Sequence, residues 1–264
     1  MKITCICGYK STKIKFKYNK RPPEEKIFKI SSEYKRNFYQ CENCNHMIAK
    51  HFFTVKQMYT KQYFELVYGS EIGMAKKFNF ITNLPLKKSD NKNRANRIEK
   101  FFNYKKLNAL DIGSGSGVFL FEMKKKGWDV TGFEKDKRYA DFCRKNLNIK
   151  IHTKGLCALN RRFDLITLNK VLEHMERPVN LLRYVKKKLN GEGYVYIEVP
   201  DILAATKGKN RQEFGLEHQH VFSIQSLDNM ITKSGLVTME IKRLHEPSDK
   251  HTLYAFAKKL QTRV

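Results

Sequence analysis

Three glycines at alternate positions give this sequence its most specific chemical signal. Gly113, Gly115 and Gly117 directly follow an apolar run that ends around Asp111. Such a turn lets the backbone bend tightly and approach a ligand closely. Glu134 ends the next apolar run, about 20 residues beyond the glycines, where a carboxylate can accept hydrogen bonds from both hydroxyls of a ribose. The spacing predicts a strand, glycine turn, helix and strand that bind a nucleoside.

The same glycines match a dinucleotide-binding turn poorly. That turn has the pattern G-x-G-x-x-G/A. Here the third glycine comes one residue early, and Val118 stands where the last small residue is required. The pattern therefore disfavours NAD. An alternative in which the turn only packs closely, without a ligand, stays open at this point.

A loop that contains two histidines is the second candidate group. Residues 214–223 read Phe-Gly-Leu-Glu-His-Gln-His-Val-Phe-Ser. Imidazole titrates near neutral pH and suits a general base. His218 is the first candidate base, and Glu217 can orient or polarise it. His220 is a further candidate, although a packing role before the helix predicted from residue 224 explains it equally well.

Four of the six cysteines lie in the N-terminal part as two close pairs. The pairs are Cys5-x-Cys7 and Cys41-x-x-Cys44. Two such pairs can present four thiolates to one tetrahedral zinc ion, although a single intervening residue makes the first pair tighter than usual. A histidine could replace one cysteine as a ligand, and the candidates are His46 and His51. The alternative is four reduced thiols, because no secretory signal precedes them.

Alternating strands and helices must position these groups. From residue 104 onward, short apolar runs alternate with amphipathic helix patterns. The predicted strands are 107–112, 129–133, 149–152, 163–168, 194–199, 236–244 and 251–259. This order predicts an α/β fold.

The glycine turn and the segments after it resemble the class I S-adenosylmethionine (SAM) methyltransferases. Residues 111–117 with Glu134 are similar to motif I of that family, and residues 163–178 are similar to its fourth strand and the loop after it. The similarity covers residues 94–259. It implies a Rossmann-like sheet, mostly parallel with an antiparallel last strand, and transfer of a sulfonium methyl group. The cofactor-binding residues that it implies are Asp111, Gly113, Ser114, Gly115, Gly117, Glu134, Cys157 and Asn169.

The cysteine pairs and the histidine loop resemble a narrower group, the sugar and natural-product methyltransferases that carry an N-terminal zinc ribbon. This resemblance implies a sugar acceptor, nucleotide-linked, in the synthesis of a surface polysaccharide or a secondary metabolite. It also implies that His218 accepts the proton and that a structural zinc ion is bound by Cys5, Cys7, Cys41 and Cys44.

The resemblance also divides the chain into three parts. It implies a zinc-ribbon-like subdomain over residues 1–51 and a SAM-binding core over 104–264; between them we interpret residues 52–103, which are rich in aromatics, as a helical lid or linker. Within the lid, Arg94 or Arg97 can reach the SAM carboxylate, but we expect both side chains to be solvated. The chain is long enough for one large domain with a small appendage.

The net charge of +26 says little about the substrate. It can attract nucleic acid, but 39 of the 52 basic residues are lysines scattered along the chain, and no arginine-rich block or aromatic RNA-binding signature occurs. We therefore expect no nucleic-acid substrate. No run of 18 apolar residues occurs either, so we expect a cytoplasmic protein without a membrane span. The sequence predicts no particular oligomeric state.

Two motifs that would point to other acceptors are missing. No Asn/Asp-Pro-Pro-Tyr follows the fourth strand, and no cysteine follows the fourth or fifth strand as a nucleophile. A hydroxyl, an amine or an activated carbon of a small molecule remains. Two alternatives stay open: an RNA or protein methyltransferase that uses the basic surface, and a binding module with the SAM fold but no catalysis.

Overall fold

The chain forms two β-sheets, a small one built mainly from N-terminal residues and a large one built from later residues. The structure, a computed structural model, describes residues 3–23, 25, 30–54, 68–156 and 159–260. Within these residues, no helix has both the length and the apolar character needed to cross a membrane.

The small sheet has four antiparallel strands, and the last of them comes from far along the chain. In spatial order they are β1 (Thr12–Tyr18), β2 (Arg36–Cys41), β3 (Met47–His51) and β9 (His220–Val221). Ile48 pairs with His220 and Met47 with Val221. The N-terminal part is therefore joined by backbone hydrogen bonds to the loop that holds the histidines.

The large sheet has seven strands in the order β10-β11-β8-β7-β4-β5-β6. Pairing is parallel from β6 through β8, and β11 runs antiparallel to both of its neighbours. This confirms the predicted mostly parallel sheet with an antiparallel last strand. The strands are β4 (Asn108–Ile112), β5 (Asp129–Phe133), β6 (Lys150–His152), β7 (Phe163–Asn169), β8 (Leu189–Pro200), β10 (Leu236–His245) and β11 (His251–Lys259).

Six helices are described, and the side chains that begin several of them are visible in the sequence. Ser89 and Ser223 each accept a hydrogen bond from a backbone N–H of the first turn, as expected of N-cap residues. The helices are α1 (Glu71–Asn83), α2 (Asp90–Phe101), α3 (Val118–Lys125), α4 (Lys137–Leu147), α5 (Pro178–Lys188) and α6 (Ile224–Lys233).

Helices cover both faces of the large sheet. Ala109 and Leu165 face a core with α1 to α4, whereas their neighbours Leu110 and Ile166 face a core with α5 and α6. Successive side chains of a strand point to opposite faces, so a strand covered on both faces is apolar throughout. This explains why the strand runs were easy to recognise.

The predicted lid segment, residues 52–103, contributes part of one helix layer. Its described helices, α1 and α2, pack against α3, and the Phe78 ring lies 5.3 Å from that of Phe121 and 5.4 Å from that of Phe142. Residues 55–67 lie outside the described residues. The division of the chain at residues 51 and 103 stays a prediction.

The expectation that Arg94 and Arg97 are solvated is wrong. Arg94 is 6% exposed and forms a salt bridge with Glu198. Arg97 Nη1 lies 3.0 Å from Glu198 Oε1 and donates a 2.6 Å hydrogen bond to the Tyr196 hydroxyl. Both arginines lie on α2, so the two contacts fix this helix to the carboxyl-terminal end of β8. The periodicity of a helix cannot reveal a buried ion pair, because the acidic partner lies far away in the sequence.

We expect Arg94→Ala to destabilise the fold strongly. It leaves Glu198, which is 1% exposed, as a buried carboxylate without its main counter-charge, at a cost of about 3–5 kcal/mol. Arg161→Ala is the matched control, because its pair with Asp129 is half-exposed and such pairs contribute about 0–1 kcal/mol. Urea denaturation of both variants measures the difference; equal losses of stability would contradict the role given to Arg94.

Candidate functional site

The glycine turn lies at the point where the strand order of the large sheet reverses. From β4 the chain continues to β5 on one side, while β7 pairs on the other. The carboxyl ends of parallel strands form a crevice at such a point, and ligands bind there. The loops after β4, β5, β7 and β8 therefore share one edge of the sheet.

Two of the three glycines are needed for different reasons. A Cβ on Gly117 would lie 2.7 Å from Cys143 Sγ, so this residue has to be glycine for α3 and α4 to pack. Gly115 has φ +52° and no atom within 4 Å of where a Cβ would be. Its open side allows a ligand to approach the backbone closely. The same turn can therefore serve both purposes: Gly117 allows close packing, and Gly115 leaves room for a ligand.

Glu134 reaches back to the glycine turn. Its Oε2 accepts a 2.9 Å hydrogen bond from the Gly115 N–H, and its Oε1 accepts one of 2.9 Å from the Asp136 N–H. Both oxygens are thus held at the edge of the crevice. The distance supports the prediction that turn and acid belong to one site.

Asp111 connects β4 to β7 below the turn. It is 3% exposed, and its Oδ1 accepts hydrogen bonds from Thr167 Oγ1 at 2.6 Å and Asn169 Nδ2 at 2.9 Å. Burial raises the pKa of Asp111 to about 7, although the two hydrogen bonds and the charge of Arg94 oppose this. The carboxyl group therefore titrates close to neutral pH.

Buried polar atoms without a partner also lie at this edge. Among the described residues, Ser114 Oγ and Asn169 Oδ1 find no hydrogen-bond partner. Unpaired buried polar atoms are costly, so a native structure usually satisfies them with a ligand or water. Together with Asp111 and Glu134, they offer mainly acceptor atoms, which suit the ribose hydroxyls and the ammonium group of SAM. Cys157, the remaining predicted contact, lies outside the described residues.

His218 and His174 form a pair of rings in the loops after β8 and β7. The centroids are 4.9 Å apart. His218 Nδ1 lies 2.8 Å from the Glu213 carbonyl oxygen, and His174 Nδ1 lies 2.9 Å from the Glu217 carbonyl oxygen. A carbonyl only accepts, so each Nδ1 carries a hydrogen, and Nε2 is the nitrogen that can accept a proton. Burial lowers the pKa of His218, which keeps this ring neutral at physiological pH.

The contacts of His220 favour the packing alternative. Its Nδ1 lies 3.0 Å from His46 Nε2, and His46 Nδ1 lies 3.1 Å from Ser226 Oγ. His220 is 6% exposed, and burial lowers its pKa to about 4. The two histidines connect β3, β9 and α6. Both ring nitrogens of His46 therefore have partners, which disfavours His46 as a replacement zinc ligand.

All four N-terminal cysteines come together. The Sγ atoms of Cys5 and Cys44 are 3.5 Å apart, those of Cys7 and Cys41 are 3.7 Å apart, and all four lie within 4.8 Å of one another. Zinc–sulfur bonds of about 2.3 Å at tetrahedral angles separate two sulfurs by about 3.8 Å. Backbone N–H groups of Asn43 and Cys44 also hydrogen-bond the Cys41 sulfur. The set fits a tetrahedral zinc ion, and the short Cys5-x-Cys7 spacing does not prevent this.

Comparison with known families agrees with this site. A family described as a methyltransferase domain matches residues 74–241, more than half of the chain. The chain belongs to the class I SAM-dependent methyltransferases. It is 27% identical over 101 residues to the ubiquinone biosynthesis O-methyltransferase of Glaesserella parasuis serovar 5 (strain SH0165). That alignment covers 33% of this chain and 43% of the relative, so it spans less than half of the relative's length.

Solved methyltransferase structures share the fold of this methyltransferase at low sequence identity. The magnesium protoporphyrin IX methyltransferase ChlM from Synechocystis PCC 6803, with bound SAH, has a TM-score of 0.57 at 12% identity, covering 78% of this chain and 100% of that one. The glycopeptide N-methyltransferase MtfA, complexed with SAM, has a TM-score of 0.55 at 13% identity, covering 65% and 95%. These similarities establish the fold and not the acceptor.

Sequence reasoning missed one member of the site. Glu173 is 0% exposed, and neither carboxylate oxygen has a hydrogen-bond partner among the described residues. It stands beside His174 in a segment whose pattern suggested only a loop after a strand. An acidic residue gives no sequence signal of its burial, so only the fold could identify it.

The raised pKa of Asp111 predicts a specific pH dependence of stability. The folded chain binds this proton more tightly than the unfolded chain, whose ordinary value is 3.8. The stabilisation from this proton is therefore complete below about pH 4 and is lost as the pH rises through about 7. Its loss lowers the free energy of unfolding by at most about 4 kcal/mol. Asp111→Asn keeps an acceptor oxygen and removes the titration.

Urea denaturation between pH 4 and 8 measures this contribution. Relative to Asp111→Asn, the stability of the wild type should fall as the pH rises. Asp141→Asn, which changes a half-exposed carboxylate on α4, should follow the wild-type profile. Parallel curves for the wild type and Asp111→Asn would show that Asp111 has an ordinary pKa.

Proposed function

We propose that this methyltransferase transfers the methyl group of SAM to a small-molecule acceptor, a hydroxyl or carbon of a nucleotide-linked sugar. The observation that carries the proposal is the edge shared by the glycine turn, Glu134 and the neutral imidazole of His218. A cofactor site and a proton acceptor at one edge are what methylation of a weak nucleophile requires. The product would enter the synthesis of a surface polysaccharide or a secondary metabolite.

The cofactor would be held by the residues around the glycine turn. Glu134 would accept hydrogen bonds from the ribose hydroxyls, while the backbone of residues 113–117 would lie against the methionine part. Asn169 Oδ1 and Ser114 Oγ, which lack partners among the described residues, would bind polar groups of the cofactor. Asp111 would fix Asn169 through their 2.9 Å hydrogen bond. Cys157 would lie near the adenine.

His218 would accept the proton of the acceptor hydroxyl. SAM, when bound, supplies a methyl group on a positively charged sulfur. The Glu213 carbonyl holds the Nδ1 hydrogen of His218, so the Nε2 lone pair is available for the proton while the hydroxyl oxygen attacks. Glu217 precedes His218 and would help to orient it. His220 would support the loop through His46 rather than react.

The cysteine cluster would bind a structural zinc ion. Its four sulfur ligands leave no position open for a substrate, as in structural zinc sites. The ion would hold residues 1–51 as a zinc-ribbon-like subdomain, with 52–103 as the helical segment and 104–264 as the SAM-binding core. Because β3 pairs with β9, this subdomain would also fix the loop that holds His218.

Support for a sugar acceptor comes from the histidine loop and the cysteine pairs, which together resemble the sugar methyltransferases. The fold itself accommodates varied small molecules. Proteins with it include a glycopeptide N-methyltransferase and a 1,6-didemethyltoxoflavin-N1-methyltransferase from Burkholderia thailandensis. The basic surface would then keep the protein soluble and would not bind a substrate.

The first test is a calorimetric titration of SAM into the purified protein, with zinc measured on the same sample. We expect micromolar binding and one zinc per chain, followed by methyl transfer from labelled SAM to a nucleotide sugar in a screen. Tight, salt-sensitive RNA binding with methylation of RNA would replace the sugar proposal. SAM binding without transfer to any fraction of a cell extract would indicate a binding module.

Two variants should separate cofactor binding from catalysis. Glu134→Ala removes the ribose acceptor and should weaken SAM binding about 10- to 100-fold, as expected for hydrogen bonds to a charged group. His218→Ala should leave the SAM dissociation constant within about twofold and lower turnover about 10²- to 10⁴-fold. Calorimetry and methyl-transfer rates measure both effects.

The exposed His245 provides the control, and His245→Ala should change neither quantity. Loss of SAM binding in His218→Ala would show that this histidine belongs to the cofactor site instead.

Cys41→Ser should release the zinc ion and destabilise the N-terminal part. One hard oxygen replaces a thiolate, so the affinity of the remaining three sulfurs for zinc falls. Elemental analysis should give much less than one zinc per chain. Cys143→Ala, which removes a cysteine outside the cluster, should retain the metal. Equal zinc content in both variants would refute the zinc site.

A further inference from the structure

Glu173 is a buried carboxylate that the proposed reaction has not yet used. It is fully buried, and among the described residues neither of its oxygens has a hydrogen-bond partner. A buried charge without compensation is strongly unfavourable. Such a carboxyl group must be neutralised, either by a proton of its own or by an opposite charge beside it.

The side chains beside Glu173 are the two histidines of the site. A carboxylate oxygen of Glu173 and one ring nitrogen each of His174 and His218 all lie within 4.8 Å of one another. Both imidazoles donate their Nδ1 hydrogen to a backbone carbonyl. The cluster therefore combines one buried carboxyl group with two rings whose Nε2 atoms are left to accept a proton.

Hydrogen bonds between the two loops fix this arrangement. The Gln219 N–H donates to the Glu173 carbonyl at 2.8 Å, and Gln219 Nε2 donates to the His174 carbonyl at 3.3 Å. With the His174 contact to Glu217, three hydrogen bonds hold the loop after β7 against the loop after β8. The carboxylate is thus kept near His218 without a direct bond to it.

We infer that Glu173 is the counter-charge for the proton that His218 takes from the acceptor. This rests on the proposed role of His218 as proton acceptor. The hydroxyl proton moves to Nε2 as the oxygen forms its bond to the methyl carbon, and the carbon–sulfur electron pair stays on sulfur. The imidazolium then faces Glu173, so Glu173 acts as a positioning residue that makes the proton transfer more favourable.

The charged and titratable neighbours of His218 shift its pKa in opposite directions. Burial and the nearby His174 lower the pKa of His218, whereas Glu173 and Glu217 raise it. Two rings this close cannot easily carry a proton each, because like charges repel. A proton on one ring therefore disfavours a proton on the other, and of the two described carboxyl groups that raise the pKa of His218, Glu173 is fully buried whereas Glu217 is partly exposed.

The decisive experiment is an NMR titration of the histidine rings, which requires neither SAM nor an acceptor. Ring carbon resonances are assigned with His218→Gln and His174→Gln. In Glu173→Gln, we expect the titration midpoint of His218 to fall by about one pH unit or more, the usual effect of losing an opposite charge at this distance. Glu173→Asp should restore most of the difference.

A matched control is Glu176→Gln, which removes an exposed carboxylate from the same loop. It should leave the His218 midpoint unchanged. An unchanged or raised midpoint in folded Glu173→Gln would overturn the inference. If Glu173→Gln does not fold, Glu173→Leu decides instead, since it also removes the charge and needs no buried hydrogen bond; an unchanged or raised His218 midpoint would overturn the inference.

A divalent cation is the other group that this cluster could accept. Titration of MnCl2 into the zinc-loaded protein tests it, because bound manganese broadens nearby ring resonances. We expect no broadening of His174 and His218 at micromolar manganese. Broadening that Glu173→Gln abolishes would mean that a metal, and not a proton, neutralises Glu173. If the His218 midpoint shifts in Glu173→Gln but the protein methylates no acceptor, the coupling of Glu173 to His218 stands. Only the proposed function would then be rejected.

Discussion

A buried guanidinium at the carboxyl-terminal edge of the large sheet is the constraint on which the site depends. Arg94 comes from α2 and forms salt bridges with Glu198 at the end of β8 and, at 3.7 Å, with Glu246 after β10. Its charge also partly offsets the rise that burial causes in the pKa of Asp111 on β4. Three distant segments are thus tied together where the cofactor would bind, since a buried charge keeps its partners in place.

The small sheet extends this constraint to the acceptor side. β9 pairs with β3, His220 hydrogen-bonds His46, and the Ser223 hydroxyl donates to the Cys44 carbonyl. The loop that holds His218 lies between these contacts and the end of β8. A zinc ion at the cysteines would therefore act on catalysis indirectly, by limiting the positions that this loop can adopt.

Sequence predicted the elements and local turns well because their signals are local. The glycine turn and Glu134 lie within one βαβ unit, and each strand is marked by its own run of apolar residues. A single sequence is therefore enough to recognise them. Burial of Arg94 and Glu173 was not predictable in this way, since it depends on segments about 100 residues apart or on how two loops meet. His220 shows the same limit: its type suggested chemistry, whereas its partner His46 lies 174 residues earlier in the chain, next to the strand that pairs with β9.

The carboxylates beside the glycine turn contrast with the charge of the chain as a whole. The sequence has a net charge of +26, yet the carboxyl ends of β4 and β5 bring Asp111 and Glu134 close enough for the charge of Glu134 to raise the pKa of Asp111. Carboxylates accept hydrogen bonds and attract positive charge, so they would suit the ribose hydroxyls and the sulfonium of SAM. Composition cannot distinguish a buried carboxylate such as Asp111 from those on the surface, and the overall charge therefore does not describe the charge at this edge.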